Sequence, residues 1–305
     1  MPLSFVKNEL FPTRRRYLLV GAGDIARRIL PLLCPQADVF ALVRRESQAA
    51  WWRAHGVRPI HADLSQRTSL TRCAGMDVVL HFAPPPIQGI RDTHTRNLLA
   101  ALQKSPILPR DWVYISTSGV YGDCAGAQID ETTRVQPTSA RAKRRLDAEQ
   151  QLRAFARRTG VRLCVLRVPG IYAQERLPLA RIQAQQPAII ACEDSFSNHI
   201  HADDLAASVM AALRWGKSGR IYHVSDNAQW KMGEWFDVVA DAMDMPRVPR
   251  LPRAAVKACV PATLWSFLAE SRRLSNHRLQ HELHYRLRYP TAREFFAVRT
   301  PTDND

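Results

Sequence analysis

Gly21 and Gly23 stand one residue apart where a short apolar run, Tyr17-Leu18-Leu19-Val20, gives way to a helical pattern carried by Ile25, Ile29 and Leu33. Strand, tight turn and helix N-terminus are the expected reading. Such a helix end offers unpaired backbone N–H groups and a positive dipole end, which suit a pyrophosphate. Gly21 permits the turn, Gly23 lets backbone approach the phosphates, and Ala26 still allows close packing of helix on strand. Asp24 and Ile25 lie in the same turn. The alternative reading is a glycine-rich turn with no ligand.

Further along, Asp38–Val43 reads as a second strand ending in Arg44 and Arg45. In a dinucleotide-binding fold an acidic residue at this strand end would bind the ribose 2′-hydroxyl of NAD. None is present, since Asp38 sits at the opposite end of the strand. Two arginines instead offer fork-shaped donors for a 2′-phosphate, which favours NADP over NAD; a solvated basic loop is the other reading. Asp63 and Leu64 follow a third strand, with Asp63 suited to an adenine amino group or to capping a helix near Arg67. Asp77–Ala83 is a fourth buried strand whose end, Phe82 and Ala83, would lie along the cofactor before the stiff Pro84-Pro85-Pro86. A helix is expected over about 91–102. Trp112–Ser116 is a fifth strand, running into Thr117.

Positioning these residues takes repeated strand–helix units. That alternation predicts a mostly parallel sheet with helices on both faces, which binds ligands beyond the carboxyl ends of its strands. Gly21, Ala83 and Thr117 all fall there. The chain of 305 residues is long enough for a substantial core, and its 46% hydrophobic and 23% charged residues are those of a globular protein. No stretch of membrane-spanning length is apolar throughout. Thr13-Arg14-Arg15-Arg16 before an apolar run resembles a twin-arginine signal, but Asp24 and Arg27-Arg28 stop the run, so it reads as a basic lead into a buried strand of a cytoplasmic protein. Cys34, Cys73, Cys124, Cys164, Cys192 and Cys259 are far apart, without the spacing of a metal site or a disulfide framework. The net charge of +15 comes from 43 basic residues, six of them lysine and 37 arginine, spread along the chain. With no nucleic-acid-binding motif beside them, they read as a basic surface that suits anionic small molecules.

From this point the chain resembles the extended short-chain dehydrogenases, the NAD-dependent epimerase/dehydratase group that usually acts on nucleotide sugars. The resemblance is carried by YISTSGVYGD (114–123), DETTRVQPTSARAKRRLDAEQQL (130–152), LRVPGIYA (166–173), NHIHADDLAASVMAAL (198–213) and the segment 271–296. It implies a Rossmann-type doubly wound α/β fold: a flexible lead at 1–15, a dinucleotide-binding domain at 16–170, a smaller α/β substrate lobe at 171–297 interleaved with it, and a tail at 298–305. It also implies a Tyr-x-x-x-Lys pair, whose tyrosine exchanges the substrate proton while the lysine lowers its pKa and holds the nicotinamide ribose. Aligning on Pro137 and Glu149 puts Arg141 at the tyrosine position and Arg145 at the lysine position. Arginine stays protonated and is no acid/base, although Arg145 can hold ribose hydroxyls. Thr117 matches the residue that orients the substrate oxygen. G-x-G-x-x-A in place of the three-glycine turn is a second departure, and both resemble the atypical members.

Candidates for the missing acid/base are Tyr121, Tyr172, His199, His201 and Glu131. Each also has a structural reading, with Asp203 or Asp204 capping the helix after His201. The apolar stretch Ala254–Leu268 is expected to be helical and to serve as lobe packing, a homodimer face or a lid. The resulting expectation is an atypical NAD(P)-dependent epimerase, dehydratase or reductase acting on a nucleotide sugar or similar phosphorylated molecule. The alternative is a non-catalytic NAD(P)-binding redox sensor or scaffold.

Overall fold

The computed structural model describes residues 14–33 and 37–298. Most of the lead expected at 1–15, Cys34 and most of the tail lie outside these residues. Seven parallel strands form the main sheet, in the spatial order Arg220–His223, Arg162–Val168, Asp111–Thr117, Val78–His81, Arg16–Val20, Asp38–Val43 and Arg58–His61. Consecutive residues of a strand face opposite sides, so a strand covered on both faces must be apolar throughout. Leu18, Leu19 and Val20 are accordingly all fully buried. Leu19 joins a core with Ile29, Val113, Leu166, Leu205 and Val209, whereas Leu18 and Val20 join another with Leu98, Leu102, Trp112, Leu152 and Phe155. Helices Asp24–Ile29 and Ala202–Trp215 pack together over the first face, and Thr93–Leu102 and Ala140–Thr159 over the second.

Strand order reverses at Arg16–Val20, which pairs with Asp38–Val43 on one side and Val78–His81 on the other. At that switch point the carboxyl ends diverge and leave a crevice. Its base is tight: the N–H groups of Phe82 and Ala83 both donate to the Val20 carbonyl, at 2.7 and 2.9 Å.

The segment after Val168 alternates between two layers. Helix Ala202–Trp215 and strand Arg220–His223 return to the main sheet. The remainder builds a separate core from Tyr172, Ile182, Trp235, Phe236, Val239, Val248, Tyr289 and Phe295, with two-stranded parallel pairings at its edges. Local chemistry adjusts several expected elements. The helix anticipated from Arg91 starts at Thr93, because Asp92 accepts from the Thr95 N–H at 3.1 Å and caps it. Ala254–Leu268 is two helices, Arg253–Cys259 and Ala262–Leu268, parted at Pro261, which cannot continue the first. His201, not Asp203 or Asp204, caps Ala202–Trp215, its Nδ1 accepting from the Asp203 N–H at 3.2 Å. Asp204 is buried and accepts from Tyr285 Oη and from the Arg288 and Tyr289 N–H groups, which fastens the C-terminal segment down.

Candidate functional site

Two cavities open at the carboxyl ends of the central strands. The larger holds about 930 Å³. Gly21, Gly23, Asp24, Ile25, Arg44, Asp63, Leu64, Phe82, Ala83 and Arg145 all line it, as do Gln48, the three prolines and His94. Gly21 has φ +99°, and a Cβ there would meet the Ala83 nitrogen at 2.5 Å, so both its conformation and its neighbour demand glycine. Gly23 differs: a Cβ on it would meet nothing within 4 Å, because it faces open space at the start of helix Asp24–Ile29. That gap beside unpaired N–H groups fits the phosphates of a dinucleotide.

Some residues take other places than their sequence positions suggested. Arg45 is exposed and supplies the N-cap backbone of helix Glu46–Ala54; only Arg44 reaches the cavity wall, since adjacent residues in extended backbone diverge. Asp63 Oδ1 accepts from the Ser65 N–H and Oγ at 2.8 and 2.7 Å, an Asx turn that draws its pKa below the ordinary carboxylate value. It caps no helix; Gln66 occupies the N-cap before Arg67–Cys73.

The second cavity, about 700 Å³, shares Ile115, Arg145, Ile171 and Arg176 with the first. Thr117 lines this one, not the larger. Its Oγ1 accepts from the Gly119 N–H at 3.2 Å and so fixes the strand end. Arg145 stands at the junction. Its Nη1 donates to Ile115 O at 2.8 Å and to Ala83 O and Tyr114 Oη, each at 3.2 Å. One guanidinium nitrogen therefore ties two strand ends together, while Nη2 and Nε have no hydrogen-bond partner among the described residues. One helical turn earlier Arg141 also lines the second cavity, its guanidinium 3.9 Å from the centre of the Phe267 ring. Arg176, Arg181 and Arg272 complete an arginine-rich wall whose single carboxylate, among the described residues, is Glu270.

The tyrosine candidates are corrected by burial. Tyr121 is absent from both cavity walls; its hydroxyl lies 2.6 Å from His223 Nε2 and accepts from Arg167 Nη1 at 2.8 Å, and burial pushes its pKa up to about 12. Arg167 in turn grips the buried Glu149, which also accepts from Ser116 Oγ, so Tyr121 belongs to a structural network under the site. The Tyr172 ring lines the second cavity, but its hydroxyl is buried next to the Asp226 carboxyl and burial pushes its pKa up further. Glu131 accepts from the His223 N–H at 2.9 Å away from both cavities, with burial raising its pKa. His201 is buried as a cap. His199 does line the second cavity, stacked 4.2 Å from Trp235 with Nε2 3.3 Å from Ser197 Oγ. Burial holds it neutral, its pKa down to about 3.

Sequence reading missed Arg176, Arg181, Trp235 and Phe267, which come from the second layer. Only their arrival over the main sheet makes them neighbours of Thr117, and nothing local marks them. Among the described residues, no group of histidine, cysteine or carboxylate side chains is placed to hold a metal. The five described cysteines are free, and among the described residues no helix is long and apolar enough to cross a membrane.

Comparison with known proteins agrees with this architecture. A dTDP-glucose 4,6-dehydratase from Mycobacterium tuberculosis is 25% identical over 209 residues, 61% of this chain and 62% of its own length. The human dTDP-D-glucose 4,6-dehydratase is 23% identical over 171 residues, 50% of this chain and 48% of its own. The chain thus spans about half to three-fifths of these curated relatives. Among solved structures, a conserved protein of unknown function from Silicibacter pomeroyi is 28% identical with a TM-score of 0.75, covering 92% of this chain and 96% of that one. A dTDP-glucose 4,6-dehydratase double mutant from Streptomyces venezuelae, solved with NAD bound, has a TM-score of 0.74 at 19% identity over 92% and 94% of the two chains. Residues 18–225 match the NAD dependent epimerase/dehydratase family. With the strand-end crevice, the Gly21–Ala26 turn and that match all in one stretch, the chain belongs to the NAD-dependent epimerase/dehydratase family.

Proposed function

We propose that the chain binds a nicotinamide dinucleotide in the larger cavity and acts, as an atypical epimerase, dehydratase or reductase, on a nucleotide sugar or similar phosphorylated molecule in the second. The carrying observation is the junction: cavities of about 930 and 700 Å³ meet at Ile115, Arg145, Ile171 and Arg176. A dinucleotide with its phosphates at Gly23 would extend toward that junction, and a ligand of the second cavity would meet it there. The cofactor, when bound, supplies hydride chemistry. This chain's residues supply the rest: Gly21 and Gly23 admit the phosphates, free donors of Arg145 hold ribose hydroxyls, and Thr117 orients the reacting oxygen.

NADP preference rests on Arg44 at the end of strand Asp38–Val43. Calorimetry with NAD(H) and NADP(H) tests it. A charge-assisted contact to a 2′-phosphate contributes about 1.5–3 kcal/mol, so Arg44→Ala should weaken NADP binding by roughly 10- to 100-fold and leave NAD nearly unchanged. Equal affinities in the wild type would end the preference, and no binding of either cofactor would end the functional reading.

A second reading, a cofactor-binding sensor or scaffold without turnover, is favoured by Arg141 and Arg145 standing in for tyrosine and lysine. It predicts tight cofactor binding with no change in nicotinamide absorbance when nucleotide sugars are added. Hydride transfer to or from any of them excludes it.

A further inference from the structure

We propose that the Arg141 guanidinium seats an oxyanion of the ligand, a carboxylate or a phosphate, in the second cavity, one helical turn from the cofactor junction. The proposal builds on the assignment of that cavity to the substrate and sharpens its chemistry. An arginine at this position cannot exchange a proton, but it offers planar, fork-shaped donors matched to an oxyanion.

Charge bookkeeping on the wall leads to the same place. Arg176 is paired with Asp24 at 2.9 Å, and Arg272 with Glu270 at 2.9 Å. Glu270 also accepts from Thr138 Oγ1 at 2.8 Å, so this lone wall carboxylate is already engaged. Arg145 donates only to neutral oxygens. Arg181 spends Nη2 on the Pro187 carbonyl at 3.1 Å and leaves Nε buried without a partner. Arg141 has no hydrogen-bond acceptor or ion-pair partner at all among the described residues. Burial disfavours its charge, and Arg145, Arg144 and Arg272 repel it, with Glu270 alone opposing them. A partly buried guanidinium in that position is stabilised by an anion brought in from outside. The Phe267 ring centre lies 3.9 Å from the guanidinium carbon, a cation–π contact that takes up no N–H donor and leaves those donors free to form hydrogen bonds.

The test uses the full chain saturated with NAD, which fills the neighbouring cavity, and titrates inorganic phosphate or succinate at constant ionic strength by calorimetry. The expected result is saturable binding of at least one probe that R141Q weakens at least tenfold and that R158Q, an exposed arginine in neither cavity wall, leaves within twofold; the tighter probe names the group. No binding of either probe, or equal binding by R141Q, overturns the proposal. If R141Q does not fold, phenylglyoxal labelling of the wild-type protein decides: the tighter probe should protect Arg141 in peptide mass spectra, and undiminished labelling overturns the proposal. Failure of NAD itself to bind speaks against the proposed cofactor. In that case the titrations are run without NAD, and R44Q reports occupancy of the neighbouring cavity, so the Arg141 result still reads separately.

Discussion

Glu149→Gln removes one charge from the most enclosed ion pair beneath the site. Glu149 and Arg167 have side-chain exposures of only 1% and 4%, and their closest N–O distance is 2.7 Å. Glu149 Oε1 further accepts from Ser116 Oγ at 2.5 Å and Arg167 Nε at 3.1 Å, while Arg167 Nη1 donates to Tyr121. Glutamine keeps the volume but leaves Arg167 as a buried cation without a counterion, a loss of about 3–5 kcal/mol. Unfolding entropy near 2.1 cal/mol/K per residue amounts to roughly 0.6 kcal/mol/K for a chain of this length, so the melting temperature should fall by about 5–8 °C. Urea unfolding and calorimetric melting read both quantities. The double variant Glu149→Leu, Arg167→Met should recover most of the loss, because no lone charge remains. A loss below about 1 kcal/mol in Glu149→Gln would refute the claim that this pair holds strands Asp111–Thr117 and Arg162–Val168 to helix Ala140–Thr159.

Gly21→Ala should cost about 2–4 kcal/mol, combining left-handed strain with a methyl forced to 2.5 Å from the Ala83 nitrogen; an unchanged urea midpoint would contradict this. Tyr121→Phe should destabilise by about 1–3 kcal/mol through the lost Arg167 and His223 contacts and leave NAD affinity unchanged, whereas lost NAD binding in a folded variant would return Tyr121 to the site. His81, His199 and His223 are buried with pKa values pushed down to about 3 by that burial. Between about pH 6.5 and 3 the unfolded chain therefore binds more protons, and each histidine removes about 1.4 kcal/mol per pH unit as pH falls. Burial raises the pKa values of Glu131, Asp194 and Asp226, which act in the opposite sense at the lower end of this window. Urea stability should fall between pH 7.5 and 5.5, by up to about 4 kcal/mol from the three histidines; a rise would refute it.

Local chemistry was readable along the chain. Apolar runs of strand length and the glycine break at Gly21 are short-range matters of sterics and backbone hydrogen bonding, so fold class and the crevice followed from them. The replacement of tyrosine and lysine by Arg141 and Arg145 was equally visible, because it depends on helical spacing from Pro137 and Glu149. What each side chain does was decided elsewhere. Tyr121 left the candidate list because His223, 102 residues away, and Arg167, 46 away, take its hydroxyl. Arg45 left the cavity because the extended backbone at the strand end turns it outward, and Arg181 entered because the second layer folds over the first. Burial and charge balance are sums over neighbours brought together by the tertiary fold; the position of Arg141 is written in the sequence, and its lack of an ion-pair partner among the described residues only in the packed structure.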